Sequence, residues 1–257
     1  ITDSGEVNVT GNATFTTATG SSIILDTAAN TFGGTVSFVG TGGNLANVTI
    51  VDDTALDLQA LAIDGNLAAT AGTGNLTDSG TLTVGGTTTA TTSAANATID
   101  LGTLASTGAV SVNTNGATGN ATVVNATALD LAASTVGGNL SGTATTGNLT
   151  DSGAITAATT TLTTSAANAT IDVGTITSAG AVSLNTNGAT GNATIVHPTA
   201  LDLGTSSIGG NLVATATTGN VTDSGTVTVG GTTNVTTSNA NDDIDLGTLA
   251  STGTVTL

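Results

Sequence analysis

The residues of this chain that could do chemistry are few, and almost all of them are acids. Among 257 residues there are 17 Asp or Glu, one His, and no Lys, Arg or Cys, for a formal net charge of −17. The adjacent carboxylates Asp52-Asp53 and Asp242-Asp243, with Asp57 and Asp245 close by in sequence, are the candidate metal ligands. Calcium, a hard cation that takes oxygen ligands, is the ion such a set suits. The Gly-Gly-x-Gly-x-Asp nonapeptide of calcium-binding β-rolls is absent, so most of the acids are read as turn caps that keep the chain soluble. Thirteen Asn-x-Ser/Thr triplets, Asn96, Asn120, Asn168 and Asn192 among them, are formal glycan acceptors. In a chain this rich in Asn and Thr many arise by composition alone, and stacked Asn side chains can instead bond one another in ladders.

His197-Pro198 stands where the preceding repeat has Asn125-Ala126, and it reads as a surface substitution at a corner. A single imidazole with no recurring partner does not make a catalytic triad. No acid, base and nucleophile converge in the pattern, so neither an enzyme nor a cofactor is expected. Without cationic side chains the chain cannot neutralise phosphates, which excludes nucleic-acid binding and docking on anionic lipid. No apolar run reaches membrane-spanning length, and trypsin-like proteases have no side chain to cut beside.

The acids are positioned by a repeat. Thr-Asp-Ser-Gly occurs at Thr2–Gly5, Thr77–Gly80, Thr150–Gly153 and Thr222–Gly225, which puts its acids at Asp3, Asp78, Asp151 and Asp223, at nearly even intervals. Other phrases keep the same rhythm: Ser93–Asp100 returns one step on as Ser165–Asp172, and Asp100–Gly108 returns two steps on as Asp245–Gly253. The chain is one array over residues 1–257, with units 2–76, 77–149, 150–221 and a partial 222–257, and it reads as an excerpt of a longer protein. Short alternating β-branched runs separated by Gly, Asn and Asp, with no helical period, give an all-β chain.

Stacked repeats of such strands make a parallel β-solenoid with a lumen of Ala, Val, Leu and Ile; Phe15, Phe32 and Phe38 all fall in the first unit. Strands are expected near Thr81–Val84, Thr87–Thr92 and Ala97–Leu101. Within a unit the Asp residues step by 22, 30 and 21, then by 21, 30 and 21. That rhythm predicts three coils in each repeat unit and about ten coils in all. The middle coil would be longer and would bulge at Asn113–Asn120 and Asn185–Asn192. Asp78 and its equivalents should sit in turns and Asp100 and its equivalents should point outward from strands, the two kinds forming separate columns.

Three runs, Gly147–Gly153, Gly80–Gly86 and Val136–Leu140, resemble the repeats of filamentous-haemagglutinin-type bacterial surface adhesins. The resemblance spans the chain as rhythm and composition, and the absence of Lys and Arg and the long unit depart from it. It implies a right-handed β-helix, an extracellular or cell-surface location, and a non-enzymatic shaft. The implied partners are further repeats or copies of the chain and host or cell-surface ligands. A second expectation, from another class, is a fibre subunit that polymerises through open end coils into filaments or matrix. The third is ice binding, on the threonine arrays Thr87–Thr92 and Thr159–Thr164, although Thr as a strand former explains those runs more simply.

Overall fold

The computed structural model describes all 257 residues. It is all-β, a parallel β-solenoid of about 12 turns with about 21 residues per turn and no helix. Contacts divide it into two units, residues 1–127 with 135–138, and residues 128–134 with 139–257.

In each unit most strands stack into two parallel sheets, and in the first unit Asn8–Val9 and Thr31–Phe32 pair as a separate two-stranded one. In the first unit one sheet runs through Ile23–Leu25, Val48–Asp52, Leu67–Ala71, Thr88–Ala95 and Val110–Asn115. The facing sheet runs through Ala13–Ala18, Thr35–Thr41, the pair Leu56–Leu58 and Leu61–Ile63, the pair Leu76–Asp78 and Leu82–Val84, Ile99–Ser106 and Ala121–Asn125. The second unit repeats this plan from Leu129–Leu131 to Val255–Thr256. The three strands expected from sequence are present as Leu82–Val84, Thr88–Ala95 and Ile99–Ser106.

Side chains alternate along these strands between lumen and solvent, which is why short β-branched runs suffice. Val48–Asp52 shows burial at every second residue, as do Leu67–Ala71 and Val110–Val112. The lumen holds Leu, Ile, Val and Ala at near-zero exposure, each large aliphatic contributing about 1.5–3 kcal/mol. Phe15 lies edge-on to Phe32 and stacked with Phe38, with ring centroids 5.8 and 5.9 Å apart, so the aromatics form one cluster.

The subdivision of the repeat differs from the expected three coils. Register sets Val48 beside Leu67 and Ile23 beside Val48, each pair one coil apart. With a coil of this length, the step from Asp78 to Asp151 spans three and a half coils. The 30-residue step between Asp residues is therefore a coil and a half, and there is no long middle coil. Asp130, Asp151 and Asp172 follow one another up one sheet of the second unit, whereas Asp202, Asp223 and Asp245 lie on the other. Thr150–Gly153 and Thr222–Gly225 thus occupy opposite sheets. In the first unit Thr2, bridged to Ile24, and Thr77, in Leu76–Asp78, do the same. Asn113–Asn115 belongs to an ordinary strand, and the two extra residues of that corner fall between Thr91 and Ala95 of the coil beneath.

Corners are built from Gly and Asn. Asn66 Oδ1 accepts the backbone N–H of Thr87 one coil on at 2.9 Å, and Asn211 Oδ1 accepts that of Thr232 at 2.8 Å. These ladders run from Asn to backbone and not from Asn to Asn. A Cβ on Gly86 would fall on Asn66 Oδ1 and within 2.8 Å of the Gly65 carbonyl. Gly86→Ala is expected to cost about 1–3 kcal/mol as overpacking. Gly174→Ala, whose Cβ would meet nothing within 4 Å, should be neutral or gain about 0.4–1 kcal/mol from the stiffer unfolded chain. Urea titration of the two variants checks the pair, and equal effects would contradict it.

Candidate functional site

The two phrases that recur most faithfully in the sequence are each other's binding partners. Asp78 of the Thr-Asp-Ser-Gly phrase accepts the backbone N–H groups of Gly102 at 2.8 Å and Thr103 at 3.0 Å. Gly102 and Thr103 belong to Asp100-Leu-Gly-Thr103, the second recurring phrase, one coil on. The Thr103 hydroxyl completes the clasp, within 3.1 Å of Asp78 Oδ2 and 2.9 Å of the Gly80 carbonyl. Asp151 repeats the arrangement on Gly174 and Thr175, and Asp223 repeats it on Gly247 and Thr248. Asp3 keeps a version of it, accepting from Thr27 N at 3.2 Å and from Asn30 Nδ2 at 2.6 Å.

Two environments act on these carboxyls. The Asn30 amide holds the Asp3 carboxyl below the usual carboxylate range. Burial pushes that of Asp78 above it, against the opposing pull of the Thr103 and Gly102 donors and with some help from the charge of Asp100.

The second Asp column faces outward, as expected. Asp100 and Asp172 are exposed. Register sets Thr35, Asp57, Thr77, Asp100 and Thr122 in one row, and Asp130, Thr150, Asp172 and Thr194 in another. Threonine thus stands between Asp57 and Asp100 and between Asp130 and Asp172, which avoids like charges on adjacent rungs in a chain with no cation to offset them. The two Asp columns stay separate: Asp78 aligns with Leu58, one position beyond the outward row.

The lumen also carries a recurring polar stack that the sequence pattern did not reveal. The Thr88 hydroxyl bonds to that of Ser106, and the pairs Thr160–Ser178 and Thr233–Ser251 recur in the same way. Asn125 Oδ1 accepts the Ser106 N–H at 2.8 Å, while its Nδ2 donates to the Ser106 carbonyl at 2.9 Å. His197 occupies the equivalent place. It is not a surface substitution: it is 1% exposed, and its Nε2 accepts the Ser178 N–H at 2.9 Å. A backbone N–H can only donate, so Nε2 is unprotonated and the Nδ1 proton goes to the Thr199 carbonyl at 3.2 Å. Burial lowers the imidazole pKa from its usual 6.5, with the Thr199 backbone contact opposing, while the Ser178 N–H, a donor aimed at Nε2, favours the neutral ring. The signal available in sequence was its position: Asn125, which it replaces, ends a strand at a lumen-facing place.

The candidate metal ligands do not assemble as a cage. No three Asp, Glu or His side chains converge. Asp242 Oδ2 accepts the Gly219 N–H at 2.7 Å, the Asp243 N–H donates to Asn220 Oδ1, and Asp245 stands outward opposite Thr222. Asp53 is exposed, whereas Asp52 is fully buried. Among the formal glycan acceptors, Asn96, Asn120 and Asn168 are exposed and Asn192 is half-buried. Asn96 and Asn168 hold left-handed backbone, with φ of 66° and 65°, and their Oδ1 atoms accept from Thr118 and Thr190. Asn192 Oδ1 accepts from the Asn211 N–H, and Asn120 lies against Gly138. An open cleft of about 390 Å³ on the outer face of the first unit is lined by Val39, Ala60, Leu61, Ala62, Thr81 and Thr83, none of them titratable.

Fold and clasp together define a repeat β-solenoid whose most regular polar chemistry joins coil to coil. The chain belongs to the family described as repeats of unknown function (DUF5649), whose model matches residues 1–39, 45–113, 118–173 and 190–257. The last three matches begin at positions 45, 118 and 190, the same step that carries Asp78 to Asp151 and Asp151 to Asp223. No curated protein and no solved structure matches the chain.

Proposed function

We propose that this chain is a non-enzymatic structural segment of an extracellular surface protein, serving as the shaft of a large adhesin. The observation that carries the reading is the clasp, which ties one coil to the next at the same place in successive repeats. Load along a stack of coils falls on these carboxylate bonds in parallel with the sheet ladders. A chain with no Lys or Arg also offers trypsin-like proteases nothing to cut, a property suited to life outside a cell. Binding to a host or cell-surface ligand would then belong to other parts of the same molecule.

The test pairs antibody labelling of intact, unpermeabilised cells with cryo-electron microscopy of the native material. Surface label together with single shafts ending in a distinct tip is the expected result. Continuous filaments of stacked copies would replace the shaft with a self-assembling fibre. Label found only after permeabilisation would overturn the extracellular role.

A further inference from the structure

Three buried side-chain oxygens in the whole chain have no hydrogen-bond partner, and two of them, Asp3 Oδ1 and Asp52 Oδ2, lie in the first unit around Asn30. Asn30 is fully buried; its Nδ2 donates to Asp3 Oδ2 at 2.6 Å, and its carbonyl accepts the Asp53 N–H at 2.7 Å. Asp52 is 0% exposed. All its donors crowd onto one oxygen: Oδ1 accepts from Thr54 N at 2.9 Å, Thr54 Oγ1 at 2.8 Å and Phe32 N at 3.3 Å. Oδ2 is left facing the lumen, where the register partner one coil on is Ala71, a methyl with no donor to offer. A further coil on, the same place holds Thr92, whose hydroxyl turns back to its own loop at the Ala97 carbonyl. A carboxylate has thus been put where the next two coils carry Ala and Thr.

Burying a carboxylate oxygen with no donor is costly unless something positive meets it. This chain cannot supply that charge from a side chain, because it has no Lys and no Arg.

We propose that the corner formed by Asp3, Asn30 and Asp52 binds a hard divalent cation from solution, seated on Asp52 Oδ2 with Asp3 Oδ1 as its second free carboxylate oxygen. Backbone carbonyls and retained water make up the remaining ligands, as hard oxygen-liganded ions accept. The exposed acids, including Asp53, take no part. The site is a single internal one, distinct from the diffuse cation atmosphere that any polyanion gathers.

Calcium chloride is the probe, added to chelator-stripped protein at constant ionic strength, with magnesium and sodium chloride as comparators. The expected result is one calorimetric site per chain and a melting temperature that rises with calcium concentration. Asp52→Asn should weaken that site at least tenfold while leaving the calcium-free protein as stable as the parent or more so. Asp53→Asn should leave both readings unchanged. If Asp52→Asn does not fold, Asp3→Asn replaces it, and calcium should slow hydrogen exchange at the amides of Phe32 and Thr54 in the parent protein. No calorimetric site at millimolar calcium, or the same site in Asp52→Asn and in the parent, overturns the proposal; the corner then holds water only.

Discussion

Asp151→Ala is expected to destabilise its coil by about 2–4 kcal/mol, while Asp172→Ala, one coil on, changes stability by less than about 0.5 kcal/mol or raises it. Asp151 receives two backbone N–H groups, Gly174 at 2.9 Å and Thr175 at 2.7 Å, and the Thr175 hydroxyl at 2.7 Å. Hydrogen bonds to a charged acceptor are worth about 1.5–3 kcal/mol each where water is excluded. Asp151 is half-buried, so water recovers part of the loss. The Thr175 hydroxyl also keeps an alternative acceptor in the Gly153 carbonyl at 2.7 Å. Asp172 is the same residue type on the outward row, exposed and opposite Thr194, where removing one charge from a chain of net −17 relieves repulsion. Asp151→Asn keeps one acceptor oxygen and should fall between the two. Because a solenoid coil contacts only its neighbours, the loss stays local. Hydrogen exchange at Gly174 and Thr175 should accelerate most, ahead of any shift in the whole-chain urea midpoint. Equal effects from Asp151→Ala and Asp172→Ala would show that the clasp contributes nothing.

The repeat, the all-β solenoid and the outward column of Asp100 and Asp172 were legible in the sequence because each is periodic. Alternation along a strand and the return of Thr-Asp-Ser-Gly along the chain are both visible in the letters. The coil length was not, because the Asp residues mark two different columns on two sheets. A step of 30 looks like one long coil until register shows that it crosses from one sheet to the other. An odd number of half-coils per repeat has this effect in any two-sheeted solenoid, since equivalent residues then alternate faces.

Both halves of the clasp were visible as recurring phrases, yet not as partners. The separation of Asp151 from Gly174 means contact only once the coil length is known. Asp52 and Asp53 read as one adjacent pair of candidate ligands, whereas alternation along Val48–Asp52 puts Asp52 in the lumen and leaves Asp53 exposed.

Acidification is expected to weaken this protein through His197 in a way that His197→Asn abolishes. In the folded chain Nε2 must remain an acceptor for the Ser178 N–H, so a proton added there meets a donor head-on inside the lumen. Burial accordingly holds the folded pKa below the ordinary 6.5. The unfolded chain binds the proton first, so stability falls as pH drops below about 6.5, by at most about 1.4 kcal/mol per unit, until the folded pKa is reached. Above about pH 6.5 this group contributes no slope. Asp78 works in the other direction: its raised carboxyl pKa makes acid stabilise the fold through the carboxylate range. Protonation of surface acids relieves repulsion with the same sign. The parent curve alone therefore mixes opposing trends, and the informative quantity is the difference between parent and variant.

His197→Asn restores the residue that the preceding repeat carries at Asn125, where the amide both accepts from Ser106 N–H and donates to its carbonyl. The variant should be at least as stable at pH 5 as at pH 7, whereas the parent loses ground to it across that interval. His197→Ala, which leaves the Ser178 N–H unpaired and opens a cavity, should cost about 2–5 kcal/mol at neutral pH. A difference between parent and His197→Asn that stays constant from pH 7 to pH 5 would mean that the imidazole can move its proton or find a second partner in place. The lumen at that corner would then be looser than its 1% exposure implies.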